Sequence, residues 1–255
     1  MSEIIDYHVH LGEDKKYGYV LKPSKLLKLM NKHKIDRSVV FACPNKDFDR
    51  ENPYSLSNRY ILYSSQKSNG RFIPYMFVHP FLDTKKEVES FSNSFYGFKI
   101  YCQAGDYDYN TLNESSIADY VFGQKKPVVV HTSRTSKSRP LSLLDVVESF
   151  PETPFHFAHC GRLFEYDLET LATRNNVYID ISPLATMCSK PKFFVSEEKR
   201  KPQIDIQDPK SVLKYLNNVF GKEKVLWGSD APWSNNMLHN GYKREIEILQ
   251  MMEEM

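Results

Sequence analysis

Cysteine is scarce in this 255-residue chain: Cys43, Cys102, Cys160 and Cys188 are its only four, and none forms a Cys-x-x-Cys pair. That spacing sets aside paired-cysteine motifs and a disulfide framework, and leaves reduced thiols in a cytoplasmic protein as the expectation. No uninterrupted apolar run approaches the roughly 20 residues that cross a bilayer. The N-terminus also lacks the basic start and apolar stretch of a signal peptide, so no membrane partner is expected. An excess of one charge is missing too. Lys+Arg 34 against Asp+Glu 32 gives a formal net charge of +2, too even to imply a nucleic-acid partner through bulk electrostatics. No internal repeat or low-complexity segment is visible. What remains is a globular composition, 41% hydrophobic and 13% aromatic, able to bury a full core.

Short β-branched or aromatic runs alternate with amphipathic segments along the whole length, the pattern of strand-helix units around a parallel sheet. Eight strands are expected, at 4–10, 38–42, 72–78, 96–102, 127–132, 154–160, 177–182 and 224–230, with helices at 24–33, 53–68, 84–91, 112–122, 141–149, 167–173, 209–220 and from Tyr242 onward. Eight of each predict one (β/α)8 TIM barrel, and the length fits the roughly 250 residues such barrels need. The chain 1–255 is then a single domain. One connection stands out: residues 183–208 lack clear periodicity and carry Lys190, Lys192, Lys199, Arg200 and Lys201. Following strand seven, this stretch is expected to be either a lid over the catalytic face or a mobile insertion.

Active sites of such barrels lie at the C-terminal ends of the strands, so the ionisable residues there carry the functional reading. Strand one ends in His8 and His10, strand four contains Lys99, strand five ends in His131, strand six in His159 and strand eight in Asp230. Residues i and i+2 of a strand share a face, which lets His8 and His10 converge on one ion while Tyr7 and Val9 face into packing. His156, of opposite parity to His159, is expected to point toward the helices. His79 either lines the pocket or stabilises a turn, and His33 and His239 carry no functional expectation.

Five segments, D-Y-H-V-H at 6–10, G-F-K-I at 97–100, V-V-V-H-T at 128–132, F-A-H-C-G at 157–161 and W-G-S-D-A-P-W at 227–233, give the chain its family resemblance. It resembles the amidohydrolase superfamily, and within it the compact branch of amidohydrolase-related decarboxylases and lactone hydrolases. The resemblance implies that His8, His10, His131 and Asp230 bind a divalent metal, with His159 a further ligand or a substrate contact. One zinc is the expectation, with manganese or a second metal left open. Lys99 is the residue that would serve a second metal, through carbamylation, or serve substrate or structure.

This residue set suits zinc while leaving a position for water. A bound zinc would lower the pKa of water to near 7, Asp230 would act as general base and then general acid, and His159 would polarise the scissile carbonyl. The polar loop after His131 places Arg134 and Arg139 beside the site, and Arg162 follows His159; each could clamp a carboxylate or phosphate of the substrate. Tyr101 and Trp233 read equally as pocket walls or as packing. The resulting expectation is a metal-dependent hydrolase of an amide, lactone or ester-like bond in a small, anionic molecule. A decarboxylase on the same site and a non-catalytic metal-stabilised barrel are the alternatives, and homo-oligomerisation stays open.

Overall fold

The computed structural model describes residues 3–45, 51–194 and 200–255. Its strands are β1 (Ile5–Asp14), β2 (Tyr19–Leu21), β3 (Arg37–Ala42), β4 (Phe72–Phe77), β5 (Gly97–Ile100), β6 (Val128–Val130), β7 (Phe155–Phe157), β8 (Val177–Asp180) and β9 (Val225–Leu226). They form one sheet in the order β2-β1-β3-β4-β5-β6-β7-β8-β9. All neighbours pair in parallel except the antiparallel β1–β2 hairpin.

The curl closes where the two ends of the chain meet. Tyr7 N–H donates to the Trp227 carbonyl at 3.0 Å, Asp230 N–H to the His8 carbonyl at 2.8 Å, and His10 N–H to the Ala231 carbonyl at 2.8 Å. Asp6 pins the same seam, accepting the Ser229 N–H at 2.8 Å. Gly228 is required here because a Cβ at that position would lie 2.8 Å from the His8 Cβ. The result is the (β/α)8 barrel expected from the alternating pattern, with β2 as an added edge strand.

Helices α1 (Pro23–His33), α2 (Ser55–Gln66), α3 (Lys85–Ser92), α4 (Cys102–Gly105), α5 (Ser116–Gly123), α6 (Leu144–Ser149), α7 (Glu165–Ala172), α8 (Leu184–Ser189), α9 (Pro209–Phe220), α10 (Trp233–Met237) and α11 (Gly241–Glu254) accompany the sheet. Alternation along each strand sorts the apolar side chains into two cores. Val40, Ala42, Phe98, Ile100, Val128, Val130, Phe155 and Phe157 pack outward against helices, while Val39, Phe41, Tyr75, Val129 and Ala158 fill the barrel interior. No described helix is long and apolar enough to cross a membrane.

Four expectations need correction. The sequence pattern missed the hairpin: β1 runs on to Asp14, whose carboxylate accepts the Lys16 and Tyr17 N–H groups at 2.9 and 3.1 Å and starts the turn to β2. Tyr7 does not follow Val9 outward but packs on the interior core. A bulge explains this, since Asp6 pairs with Ser38 and Val9 with Val40, three steps of β1 against two of β3. His156 faces the interior rather than the helices, its ring against Tyr7 and Tyr178, because its neighbours Phe155 and Phe157 take the outward parity. The aperiodic reading of 183–208 fails at its start, where α8 buries Leu184 and Met187. The first turn of α8 is capped by buried Glu245 of α11, which accepts from Ala185 N–H, Thr186 N–H and the Thr186 hydroxyl at 3.0 to 3.1 Å. Lys199, within that connection, lies outside the described residues.

Candidate metal centre

The floor of the site is Phe41 on β3. His8 and His10 meet its ring edge-on at centroid separations of 4.9 and 4.7 Å, and the Lys99 ammonium lies 4.8 Å from the ring centroid. Each histidine is held from behind. His8 Nδ1 is 2.5 Å from Asp180 Oδ2, and His10 Nδ1 is 3.0 Å from the Ala42 carbonyl. A carbonyl and an ionised carboxylate can only accept, so both protons sit on Nδ1 and both Nε2 atoms carry lone pairs.

Those lone pairs converge. His8 Nε2 and His10 Nε2 each lie 3.6 Å from Asp230 Oδ1, and ligand atoms of the three residues all fall within 4.8 Å of one another. His8 Nε2 is buried with no hydrogen-bond partner. Three electron-rich atoms facing one another without a proton between them repel, and a cation at their centre removes the conflict. Two donors at 2.0 to 2.1 Å from a tetrahedral ion stand about 3.4 Å apart, close to the observed 3.6 Å. The set therefore fits a divalent metal.

Burial sets the protonation of these groups. It drives His8 well below the usual imidazole range and His10 down to about 3, so both rings are neutral as ligation requires. The same desolvation pushes Asp230 well above an ordinary carboxylate, against the pull of Lys99. A cation would reverse that penalty. Lys99, fully buried and without a hydrogen-bond partner at Nζ, is lowered to about 7 by its desolvation, with Asp180 and Asp230 opposing.

The facing wall is built differently. His159 Nδ1 lies 2.7 Å from the Ser182 carbonyl, and its Nε2 is 3.0 Å from His131 Nδ1. The carbonyl again fixes the proton on His159 Nδ1, so His159 Nε2 accepts from His131 Nδ1–H and leaves His131 Nε2 with a lone pair. His131 is further held by Tyr101, stacked on it at 3.6 Å between centroids, and by the Tyr109 hydroxyl on its carbonyl at 2.7 Å. Strand parity does not place His159, since β7 ends at Phe157. His159, Cys160, Gly161, Arg162 and Leu163 all have φ between 53° and 61°. This left-handed turn costs roughly 1–2 kcal/mol per non-glycine residue and swings both His159 and Arg162 into the cavity.

The cavity above has a volume of about 530 Å3, and His10, His131, His159, Asp230, Arg134 and Arg162 are among its lining residues, with Tyr101, Phe193 and Trp233 as aromatic walls. Arg162 is anchored by two carbonyls, Thr132 at 2.9 Å and Phe193 at 3.3 Å. Arg139 is a correction to the expected set. Its guanidinium is committed to Asp167 at 2.5 to 3.0 Å and stands outside the lining. His79 is likewise occupied in a turn, receiving the Phe81 and Leu82 N–H groups at Nδ1. Of the four ligands that the resemblance implied, His8, His10 and Asp230 gather, while His131 belongs to the facing wall.

Two contributions were not among the site residues expected from the sequence. Asp180 was readable, because Val177-Tyr178-Ile179-Asp180-Ile181 alternates and puts a carboxylate on the inward face of strand seven. Tyr17 and Tyr19, at the cavity rim, depend on the hairpin and had no comparable signal.

Comparison with known proteins agrees with this construction. No curated protein matches the chain in sequence. Among solved structures, a zinc-bound amidohydrolase from Burkholderia multivorans superposes with a TM-score of 0.74 at 14% identity, covering 99% of this chain and 92% of the other. A putative 2-pyrone-4,6-dicarboxylic acid hydrolase from Pseudomonas putida gives 0.65 at 16% identity, over 98% and 90%. The 5-carboxyvanillate decarboxylase of Sphingomonas paucimobilis gives 0.64 at 10% identity, over 97% and 92%. At these identities the likeness is one of fold. The amidohydrolase family model matches residues 5–249, nearly the whole sequence, and the chain belongs to the amidohydrolase family.

Proposed function

We propose that this chain is a metal-dependent hydrolase acting on an amide, lactone or ester-like bond of a small molecule that carries an anionic group. The observation behind it is the meeting of His8 Nε2, His10 Nε2 and Asp230 Oδ1 at the base of the cavity. These three residues would hold one divalent cation, zinc being the best match to two imidazoles and a carboxylate. Bound there, the cation supplies a Lewis acid and brings the pKa of water from 15.7 to about 7.

The rest of the chemistry belongs to side chains. Asp230 Oδ2 accepts the proton of the attacking water and returns it to the leaving group. No hydroxyl or amide N–H donates to this carboxylate among the described residues, which leaves its oxygens available. His131 Nε2, with its lone pair toward the cavity, is the next donor atom for the cation or the acceptor for a substrate proton. His159 acts through His131, since both of its own nitrogens are engaged. Arg162 and Arg134 line the cavity and receive the anionic group, with Trp233 as an apolar wall. Two of the solved relatives are named for carboxylate-bearing molecules, which supports an anion there.

The experiment is elemental analysis of the purified protein followed by a panel of lactones, esters, amides and aromatic carboxylates. Stoichiometric metal and net addition of water, abolished by chelation and restored by zinc, are expected. Release of carbon dioxide without water addition would replace the hydrolase by a lyase. Failure to bind any metal would sink the proposal.

A further inference from the structure

His8 and His10 present the same nitrogen to the same carboxylate, yet they are braced by unlike partners. Behind His10 stands a neutral backbone carbonyl at 3.0 Å. Behind His8 stands the carboxylate of Asp180 at 2.5 Å, with both side chains buried to 1% exposure or less. Asp180 is itself fastened, because its Oδ1 accepts the Ser182 N–H at 2.8 Å while Oδ2 faces the ring. Ionised, it has no proton to offer and can only accept. A charge-assisted bond of this length is roughly twice as strong as a neutral one.

We propose that Asp180 is the positioning residue of this centre: it holds the His8 proton on Nδ1 and so keeps Nε2 as a cation donor facing Asp230. The inference rests on reading His8, His10 and Asp230 as a cation site. It gives β8 a part in the centre beside that of the adjoining Ser182, whose carbonyl holds His159.

The geometry makes Asp180→Asn informative. An amide has one oxygen, and two N–H groups now compete for it, those of Ser182 and of His8 Nδ1. If the oxygen stays on Ser182, the amide NH2 faces His8 Nδ1 and drives the proton to Nε2. The ring then points a donor at Asp230 Oδ1 and cannot ligate.

The test uses the full chain with 15N-labelled histidine. Long-range 1H–15N correlation on the metal-free wild type, Asp180→Asn and Asp180→Ala reads the His8 tautomer, with His10 as internal control. Competition with a chromophoric chelator reads zinc affinity, and circular dichroism confirms the fold. In the wild type His8 is expected to be protonated on Nδ1. In Asp180→Asn the proton moves wholly or partly to Nε2, His10 is unaffected, and zinc affinity falls about 10- to 100-fold, the range typical for loss of such an outer partner. An unchanged His8 tautomer in a folded Asp180→Asn, with zinc affinity kept, overturns the proposal. A wild type that takes up no zinc overturns the metal reading instead, and the tautomer comparison still decides what Asp180 does.

Discussion

Two walls of one cavity use histidine in opposite ways. On the β1 side, His8 and His10 are each tied through Nδ1 to an oxygen outside the cavity and aim a bare Nε2 at Asp230. On the β6–β7 side, His131 and His159 are tied to each other, in a line that ends on the Ser182 carbonyl. The first wall exposes two donor atoms and the second exposes one. A bulged strand and a close glycine make the first, whereas a left-handed turn makes the second. The same residue type thus offers free donor atoms on one side and a mutual brace on the other, and what the Nε2 of His8, His10 and His159 faces, the Asp230 carboxylate or a second imidazole, separates the two.

The sharpest way to break this contrast is Asp230→Asn. It should lower kcat by about 10²–10⁴-fold through loss of the proton acceptor, read by steady-state kinetics, with bound metal measured on the same sample. A smaller effect is expected from His159→Gln, about 10²-fold in kcat from misplacement of His131, with metal content close to wild type. Loss of metal there would erase the distinction between the walls. Arg162→Gln should raise KM by about 10- to 100-fold for an anionic substrate, matching roughly 1.5–3 kcal/mol for a charged hydrogen bond, and leave kcat nearly unchanged. An uncharged analogue of the same molecule should show no such shift.

How much of this was legible follows from what each feature depends on. The barrel and its strand order were readable because period-two alternation in Ser38–Ala42 or Val177–Ser182 is a local signal. So were the positions of His8 and His10 on β1, of His131 just past β6 and of Asp230 beyond β9, at the face where the fold places its sites. His159 reached the cavity for a reason that parity did not supply, a run of positive φ in which only Gly161 is a residue at ease. Tyr7 and His156 were misread because a single bulge or an early strand end flips the facing of every later residue. The commitment of Arg139 to Asp167, 28 positions away, has no signature in the chain near either residue.

Two gentler changes probe the scaffold behind the walls. Gly228→Ala should cost about 1–3 kcal/mol in chemical denaturation, the usual range for overpacking a tight contact, because its Cβ would press on His8. Glu245 should shape the pH dependence of stability while leaving kcat nearly untouched. Burial raises it to about 8 from a reference of 4.5, so the native state holds a proton that the unfolded chain has released. The stability it contributes is present below about pH 4.5 and is lost as pH rises through about 8. Denaturation midpoints near pH 5 and near pH 8 should therefore diverge more for wild type than for Glu245→Gln.

The seam has a consequence for how the protein is made. Asp6 and Ser229, 223 positions apart in the chain, share a hydrogen bond, and His8 and Asp230 meet at the same junction. During translation, His8 and His10 leave the ribosome well before Asp230, so the cation site proposed above would be complete only once the last barrel strand docks on the first. On the proposed reading, a chain cut before Asp230 lacks one of the three groups that would hold the cation, and a captured ion would tie the first and last strands of the barrel together.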